Sequence, residues 1–330
     1  MDPARFPGLS PGRPHPALAR VRVAVRDLLA AARPVDRVAV AVSGGADSLA
    51  LAAAAEFEGH KLGLRVDGLI VDHGLQAESA KTALRAADHL AVLGLDKVEV
   101  LLVDVAGGGG IEAAARRARY AALREAAGDS WVLLGHTRDD QAETVLLGLG
   151  RGSGPRSIAG MRALDRPWAR PLLGVSRSTT RDACAALGVE PWQDPHNDDP
   201  RFTRVRLRHE VLPLLEDVLQ GGVAGALART AAQLRDDLAA LDDLAADLLA
   251  RARHDGALDV SELTPAPPAL RRRALRGWLI DGGAPELSDT HLRAVDELIS
   301  AWHGQRGVAL PGGLVARRAH GRLHIERPDT

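Results

Sequence analysis

Arg37-Val38-Ala39-Val40-Ala41-Val42-Ser43-Gly44-Gly45-Ala46-Asp47-Ser48 joins two textures within twelve residues. Its first half, residues 37–43, is a short β-branched run closed by glycines, which reads as a buried strand. Residues 47–58 carry helical text, so SGGADS lies in the turn between strand and helix. The glycines let the backbone bend sharply and approach a ligand closely. Free amides at the helix start, with the hydroxyls of Ser43 and Ser48, then form an anion cradle. The lysine of a GxxxxGK loop is missing, so this is a different phosphate loop. Asp47 is the informative residue: a carboxylate beside bound phosphates repels them unless a cation lies between, which predicts Mg2+. A plain Gly-rich turn capped by Ser or Asp is the alternative reading, but strand, SGGxDS and helix in this order are far more specific.

On either side of that stretch the alternation continues. A helix is predicted over 17–32. Strands are predicted at 66–72, 97–105 and 131–136, with helices at 78–93 and 111–127 between them. Four strand–helix repeats with short connections predict an α/β fold with a doubly wound parallel sheet. Ligands on such sheets sit at the carboxyl ends of the strands, here SGGADS, VDHGL and GHTRDD. Residues 148–161 are rich in Gly and Arg and read as a long loop. A short helix over 179–187, the Pro- and Asp-rich PWQDPHNDDP and an arginine-rich helix entry at RFTRVRLRHEVLPLL follow. Residues 224–252 form a long Ala–Leu helix, read as a connector. The division is a flexible leader (1–16), a nucleotide-binding domain (17–220), a helical connector (221–254) and a small C-terminal domain (255–330).

The composition fits a soluble globular protein: 46% of residues are hydrophobic and 26% charged. No stretch approaches the roughly 20 apolar residues that span a bilayer, and the Pro-, Gly- and Arg-rich start is no signal peptide. Cys184 is the one cysteine, which excludes an internal disulfide and a cysteine-based zinc cluster. A cytoplasmic location is expected, with no membrane and no obligate protein partner. The formal net charge of −1 hides a segregation. Residues 151–208 hold eleven Arg against six acids, and residues 209–300 nine basic residues against sixteen acids. Coding bias accounts for the scarcity of Lys but not for the clustering, which suits a phosphate-binding face.

The SGGADS loop resembles that of the pyrophosphatase-loop ATPases, a superfamily with an adenine nucleotide alpha hydrolase-like fold. Further segments narrow the choice: Val71-Asp72-His73-Gly74-Leu75, Gly135-His136-Thr137-Arg138-Asp139-Asp140-Gln141-Ala142-Glu143-Thr144, and Arg151-Gly152-Ser153-Gly154 through Gly160-Met161 to Arg170-Pro171-Leu172. With Asp194-Pro195-His196-Asn197 and Arg204-Val205-Arg206-Leu207-Arg208-His209, they resemble the tRNA(Ile)-lysidine synthetase family over residues 35–215. Two positions depart from the family pattern, Thr137 where a second His is frequent and His196 where Ser is usual.

That resemblance implies an enzyme that cleaves ATP to AMP and pyrophosphate. It would adenylate the wobble cytidine of a CAU-anticodon tRNA(Ile), then let the side-chain amine of free L-lysine displace AMP. ATP and Mg2+ are the implied cofactors. Ser43, Gly44, Gly45, Ala46, Asp47, Ser48 and His73 would bind ATP, and Asp47 and Asp140 would hold the metal. Asp140 and Glu143, three apart on a helix, share one face and could ligate metal, hold lysine or act as base. For Asp139 a helix-dipole role is favoured. Arg116, with Arg119 one turn on, and Arg206 are candidates to reach the adenylate. Arg151, Arg204 and Arg208 are assigned to tRNA phosphates. One rival is a tRNA-thiolating relative, which would need several cysteines; another is a small-molecule synthetase, which would need no Arg belt. A third, an inactive tRNA-binding protein, should have lost Asp47 or a loop glycine.

Overall fold

Val38, Val40 and Val42 are buried on the strand β1 (Arg37–Val42), the centre around which the first unit is built. The computed structural model describes residues 14–32, 35–74, 78–105, 110–152, 154–194 and 198–327, without the side chains of Ile111 and Glu112. Leu75, Ser153 and Pro195-His196-Asn197 of the segments quoted above, and residues 1–13 of the expected leader, lie outside the described residues. The chain divides into two compact units, Met1–Gln233 and Leu234–Thr330.

In the first unit α1 (Pro16–Ala31) precedes β1, and α2 (Ala46–Lys61), β2 (Arg65–Asp72), α3 (Ser79–Leu93), β3 (Lys97–Leu102), α4 (Ile111–Ala127) and β4 (Trp131–Leu133) continue the alternation. The strands pair in parallel as β3-β2-β1-β4, with β1 between β2 and β4. Strand order reverses beside β1, which is where an open α/β sheet leaves a crevice for a ligand. Small residues let helices sit close to the sheet. A Cβ on Gly59 would fall 2.5 Å from Val66, and one on Gly68 2.5 Å from Leu90.

Three features differ from the sequence reading. The region 148–161 is largely helical: α5 (Arg138–Arg151) runs through Gly148 and Gly150, and α6 (Pro155–Ile158) follows. Gly148 permits this because α6 presses onto it, a Cβ there falling 2.1 Å from the Ser157 carbonyl oxygen. The sheet is also extended by β5 (Leu164–Asp165) and β6 (Trp168–Ala169), β6 parallel to β4 and β5 antiparallel to β6. Two-residue strands are too short to show a period. Finally, after α7 (Arg177–Leu187), the arginine-rich helix is broken into α8 (Thr203–Arg206), a π-turn at Leu207–Val211 and α9 (Leu212–Val218). Pro213 has no amide to give His209, and the Leu212 amide reaches back to the Leu207 carbonyl instead.

α10 (Val223–Ala252) is the long Ala–Leu helix. The second unit adds β7 (Arg253–His254), β8 (Ala257–Asp259), α11 (Val260–Leu263), α12 (Pro268–Asp281), α13 (Asp289–Ser300), β9 (Val308–Leu310), β10 (Leu314–Ala319) and β11 (Arg322–Glu326). Its sheet is antiparallel in the order β7-β8-β11-β10-β9, over a core that includes Leu258, Leu263, Trp278, Val295 and Leu323. Within it the buried Asp296 carboxylate accepts from Arg271 and, at 3.2 Å, from Arg272. No single described helix is long and apolar enough to cross a membrane.

Candidate active site

The loop after β1 is held open from three sides. Gly44 takes φ +82°, a left-handed conformation that favours glycine. The Ser43 amide donates to the Ser48 hydroxyl at 3.2 Å, and that hydroxyl donates to the Gly45 carbonyl at 2.9 Å. Gly45 caps α2 without a side-chain acceptor, which leaves the first helix amides for a ligand. From outside, the Trp192 amide donates to the Gly44 carbonyl at 2.9 Å. From the β4 side, Gly135 comes so close that a Cβ would lie 3.1 Å from the Asp47 carbonyl carbon.

Two cavities are lined by Ser43, Asp47 and Ser48 of this loop. The first, about 290 Å³, is walled by Leu69, Ile70 and Val71 of β2, by His73 beyond it, and by Arg119 and His136. The second, about 850 Å³, is polar, with Asp140, Arg177, Arg181, Glu190 and Arg208. Ser43, Asp47, Ser48, Trp192 and Asp194 border both.

The acids of α5 are engaged by arginines from two later helices. Thr137 caps α5, and its amide and hydroxyl donate to Asp140 Oδ2 at 2.7 and 2.8 Å. Asp140 Oδ1 lies 2.6 Å from Arg177 Nη2. Burial pushes the Asp140 carboxyl up, but Arg177 and Thr137 together hold it below the usual range. The Glu143 side chain is fully buried, with Arg208 Nε at 2.9 Å, Arg177 Nη2 at 3.5 Å and Arg204 Nη1 at 3.8 Å. Asp47 accepts from the Thr180 hydroxyl and has Arg177 Nε 3.6 Å away; burial raises its pKa all the same. Asp139 accepts from the Arg177 amide at 2.9 Å, so it tethers the first turn of α7 to α5.

The structure therefore brings Asp47, Asp140, Glu143, Arg204 and Arg208 together, beside Ser43, Gly45, Ala46 and Ser48. It does not bring Arg206 there. On the α8 turn Arg206 faces away, 2.8 Å from Glu210 and largely exposed, because the arginines facing α5 are the pair four apart, Arg204 and Arg208. Arg116 is likewise exposed, donating to the Tyr120 hydroxyl at 3.1 Å, while Arg119 takes the place at the first cavity. Arg151 is exposed at the end of α5. Glu143 also departs from the reading that put it beside Asp140 as a ligand or base: it is enclosed by guanidinium groups. Arg177, Thr180 and Trp192 escaped the sequence reading altogether. The packing of α7 on α2 and the contacts of its first turn with the acids of α5 reveal Arg177 and Thr180, since nothing in SRSTTRD marks a site, and Trp192 is revealed by its amide on the Gly44 carbonyl.

His136, at the first cavity, has a buried Nδ1 with no partner, and burial pushes its pKa down to about 4 despite nearby Asp140. Cys184 is buried against α2, its thiol donating to the Ala46 carbonyl at 3.3 Å, and burial pushes it up to about 12. Such a thiol is inert. Among the described residues no group of three or more His, Cys, Asp or Glu could hold a metal by itself. Asp47 and Asp140 do border one cavity, an oxygen pair of the kind Mg2+ uses together with phosphate and water.

The PP-loop domain family matches residues 19–215, and the TilS substrate binding domain family matches residues 258–324. Among curated proteins, the chain is 61% identical to a tRNA(Ile)-lysidine synthase of Rhodococcus erythropolis, over 95% of this chain and 97% of that one. It is 58% identical to the corresponding synthase of Nocardia farcinica, over 93% of this chain and 98% of that one. Among solved structures, the U34-tRNA thiolase NcsA of Methanococcus maripaludis, which carries an iron–sulfur cluster, aligns with a TM-score of 0.55 at 17% identity, covering 66% of this chain and 79% of the thiolase. That likeness is one of fold. With the loop, the two cavities and a match along nearly its whole length, the chain belongs to the tRNA(Ile)-lysidine synthase family.

Proposed function

We propose that the protein forms lysidine on tRNA(Ile), adenylating the wobble cytidine with ATP and then exchanging AMP for the side-chain amine of free lysine. The observation that carries this reading is the sharing of Ser43, Asp47 and Ser48 by both cavities. A nucleotide in the apolar-walled cavity then presents its α-phosphorus to groups in the polar one. The oxygen at ring position two of cytidine attacks that phosphorus, and pyrophosphate leaves into the amides and hydroxyls of the loop. The carbon–oxygen bond to AMP next breaks as the lysine nitrogen bonds to the same ring carbon.

The amine must lose a proton first. A lysine ammonium with pKa near 10.4 is neutral only about once in 2,500 molecules at pH 7, a deficit of roughly 4.6 kcal/mol. Asp140, Glu190 and Asp194 at the polar cavity suit the two amino groups of lysine, and Arg181 or Arg208 suits its carboxylate. Mg2+ at Asp47 and Asp140, when bound, would neutralise charge on the phosphates. The reading places catalysis in residues 17–220, a connector over 221–254 and tRNA recognition in 255–330. ATP and tRNA substrates imply a cytoplasmic enzyme.

Mass spectrometry of a CAU-anticodon tRNA(Ile) transcript, after incubation with protein, ATP, Mg2+ and lysine, tests the reading. The expected product carries one lysyl addition at the wobble cytidine. An unmodified or sulfur-substituted transcript would overturn it.

A further inference from the structure

We propose that Arg177 is an internal counter-cation, a positioning residue that holds Asp47, Asp140 and Glu143 in place until a divalent cation takes over part of their charge. This rests on the reading of Asp47 and Asp140 as cation ligands. One guanidinium reaches all three acids: Nη2 lies 2.6 Å from Asp140 and 3.5 Å from Glu143, and Nε lies 3.6 Å from Asp47. The first distance is a charge-assisted hydrogen bond; the last is a Coulombic approach only, beyond hydrogen-bond reach. Asp47 is therefore the acid most easily released.

The position of Arg177 is fixed from its backbone. Its amide donates to Asp139, and Ser176 caps α7 by accepting from the Thr179 amide at 3.2 Å. Three residues further on, Thr180 donates its hydroxyl to Asp47, so one face of α7 supplies both partners of that carboxylate. The Arg177 side chain is only 14% exposed, and water screens its charge poorly. Take it away, and Asp47 loses its arginine partner, while Asp140 keeps Arg208 at 3.7 Å and Glu143 keeps Arg204 and Arg208. A site in that condition would collect a divalent cation without nucleotide. With Arg177 in place, phosphates arriving at the loop give the guanidinium other acceptors, so nucleotide and cation enter together.

The test uses the full chain with no ATP, tRNA or lysine, and Mn2+ as probe. Wild-type protein should bind Mn2+ weakly by electron paramagnetic resonance, and millimolar Mg2+ should leave its Tm unchanged. Arg177→Met should bind Mn2+ at least about tenfold more tightly, its Tm falling in chelator and recovering in Mg2+ but not in Na+ of equal ionic strength. Arg177→Lys keeps the charge without the reach to all three acids, so it should fall between the two. If the Met variant does not fold, a gain of Mn2+ affinity in the Lys variant carries the proposal. No gain in any folded variant, or wild-type Mn2+ affinity already equal to theirs, overturns it. Because no substrate is present, this outcome is separate from that of the lysidine assay.

Discussion

Arg208 Nε and Glu143 Oε1 meet at 2.9 Å across sixty-five residues of chain. Since Glu143 is fully buried, this ion pair and those with Arg177 and Arg204 satisfy a charge that water cannot reach. Removing one side of such a cluster strands the other. Glu143→Leu is expected to destabilise the first unit by about 3–5 kcal/mol, and Glu143→Gln, which keeps one acceptor oxygen, by the lower part of that range. Urea unfolding measures both; an unchanged midpoint would refute the anchoring role.

Asp47 and Asp140 should separate by reaction step. Asp47→Asn is expected to leave the fold intact and cut tRNA-dependent ATP–pyrophosphate exchange by about a hundredfold or more, by analogy with losing one group that stabilises the transition state. Asp140→Asn should slow lysine transfer more than adenylation if that carboxylate receives the amine. Equal loss of both steps would place it on the metal, and an unaffected enzyme would reduce it to a helix cap. Rapid-quench assays of the two half-reactions read the difference.

The arginines of α8 and the following turn make a paired forecast. Removing one arginine from a tRNA phosphate should lower the slope of log affinity against log salt by roughly one. Arg204→Ala should weaken tRNA binding in this way, whereas Arg208→Ala, which strands the buried Glu143 carboxylate, should show first as a loss of stability. Arg206→Ala should change neither affinity nor turnover, because that side chain pairs with Glu210 outside the cluster. Fluorescence anisotropy with labelled tRNA over a salt series decides, and a turnover defect in Arg206→Ala would restore it to the site.

Cys184 provides a control on the chemistry. Its thiol, buried and pushed up to about 12, is not a sulfur carrier at neutral pH. Cys184→Ser should keep lysine incorporation within a few-fold, at a packing cost of about 1 kcal/mol. A stable variant without activity would reopen thiol chemistry.

His136 sets a pH limit on stability. Burial lowers its folded pKa to about 4, whereas an unfolded His titrates near 6.5. As pH falls through that window the unfolded chain takes up the proton first, so stability present above pH 6.5 is lost toward pH 4. His136→Gln should flatten that part of the Tm-against-pH curve. Identical curves would show that His136 does not contribute.

Much of this was legible in the sequence because it is local. A valine run, two glycines and a serine-flanked aspartate specify β1, the loop and the start of α2 without reference to the rest of the chain. What was not legible depends on which face of an element becomes covered. The spacing of Asp140 and Glu143 gives them a common side, but not that arginines of α7, α8 and the π-turn enclose it. Alternation at 204, 206 and 208 likewise cannot choose between faces. Arg177 was missed because its role arises from α7 packing on α2 with its first turn against the acids of α5, a meeting of segments far apart in the chain.

The close approach of Gly135 to the backbone at Asp47 and Ser48 has a genetic consequence. A single-base change in the first or second position of a glycine codon brings in either a stop or a residue with a Cβ. At position 135 that carbon lies about 3.1–3.2 Å from main-chain atoms, which cannot rotate aside as a side chain would. Codon 135 thus has no conservative neighbour. In a saturation library selected for lysidine formation, substitutions at 135, which need the Asp47–Ser48 backbone to give by a few tenths of an ångström, should be depleted relative to those at Gly150, which has open space around it.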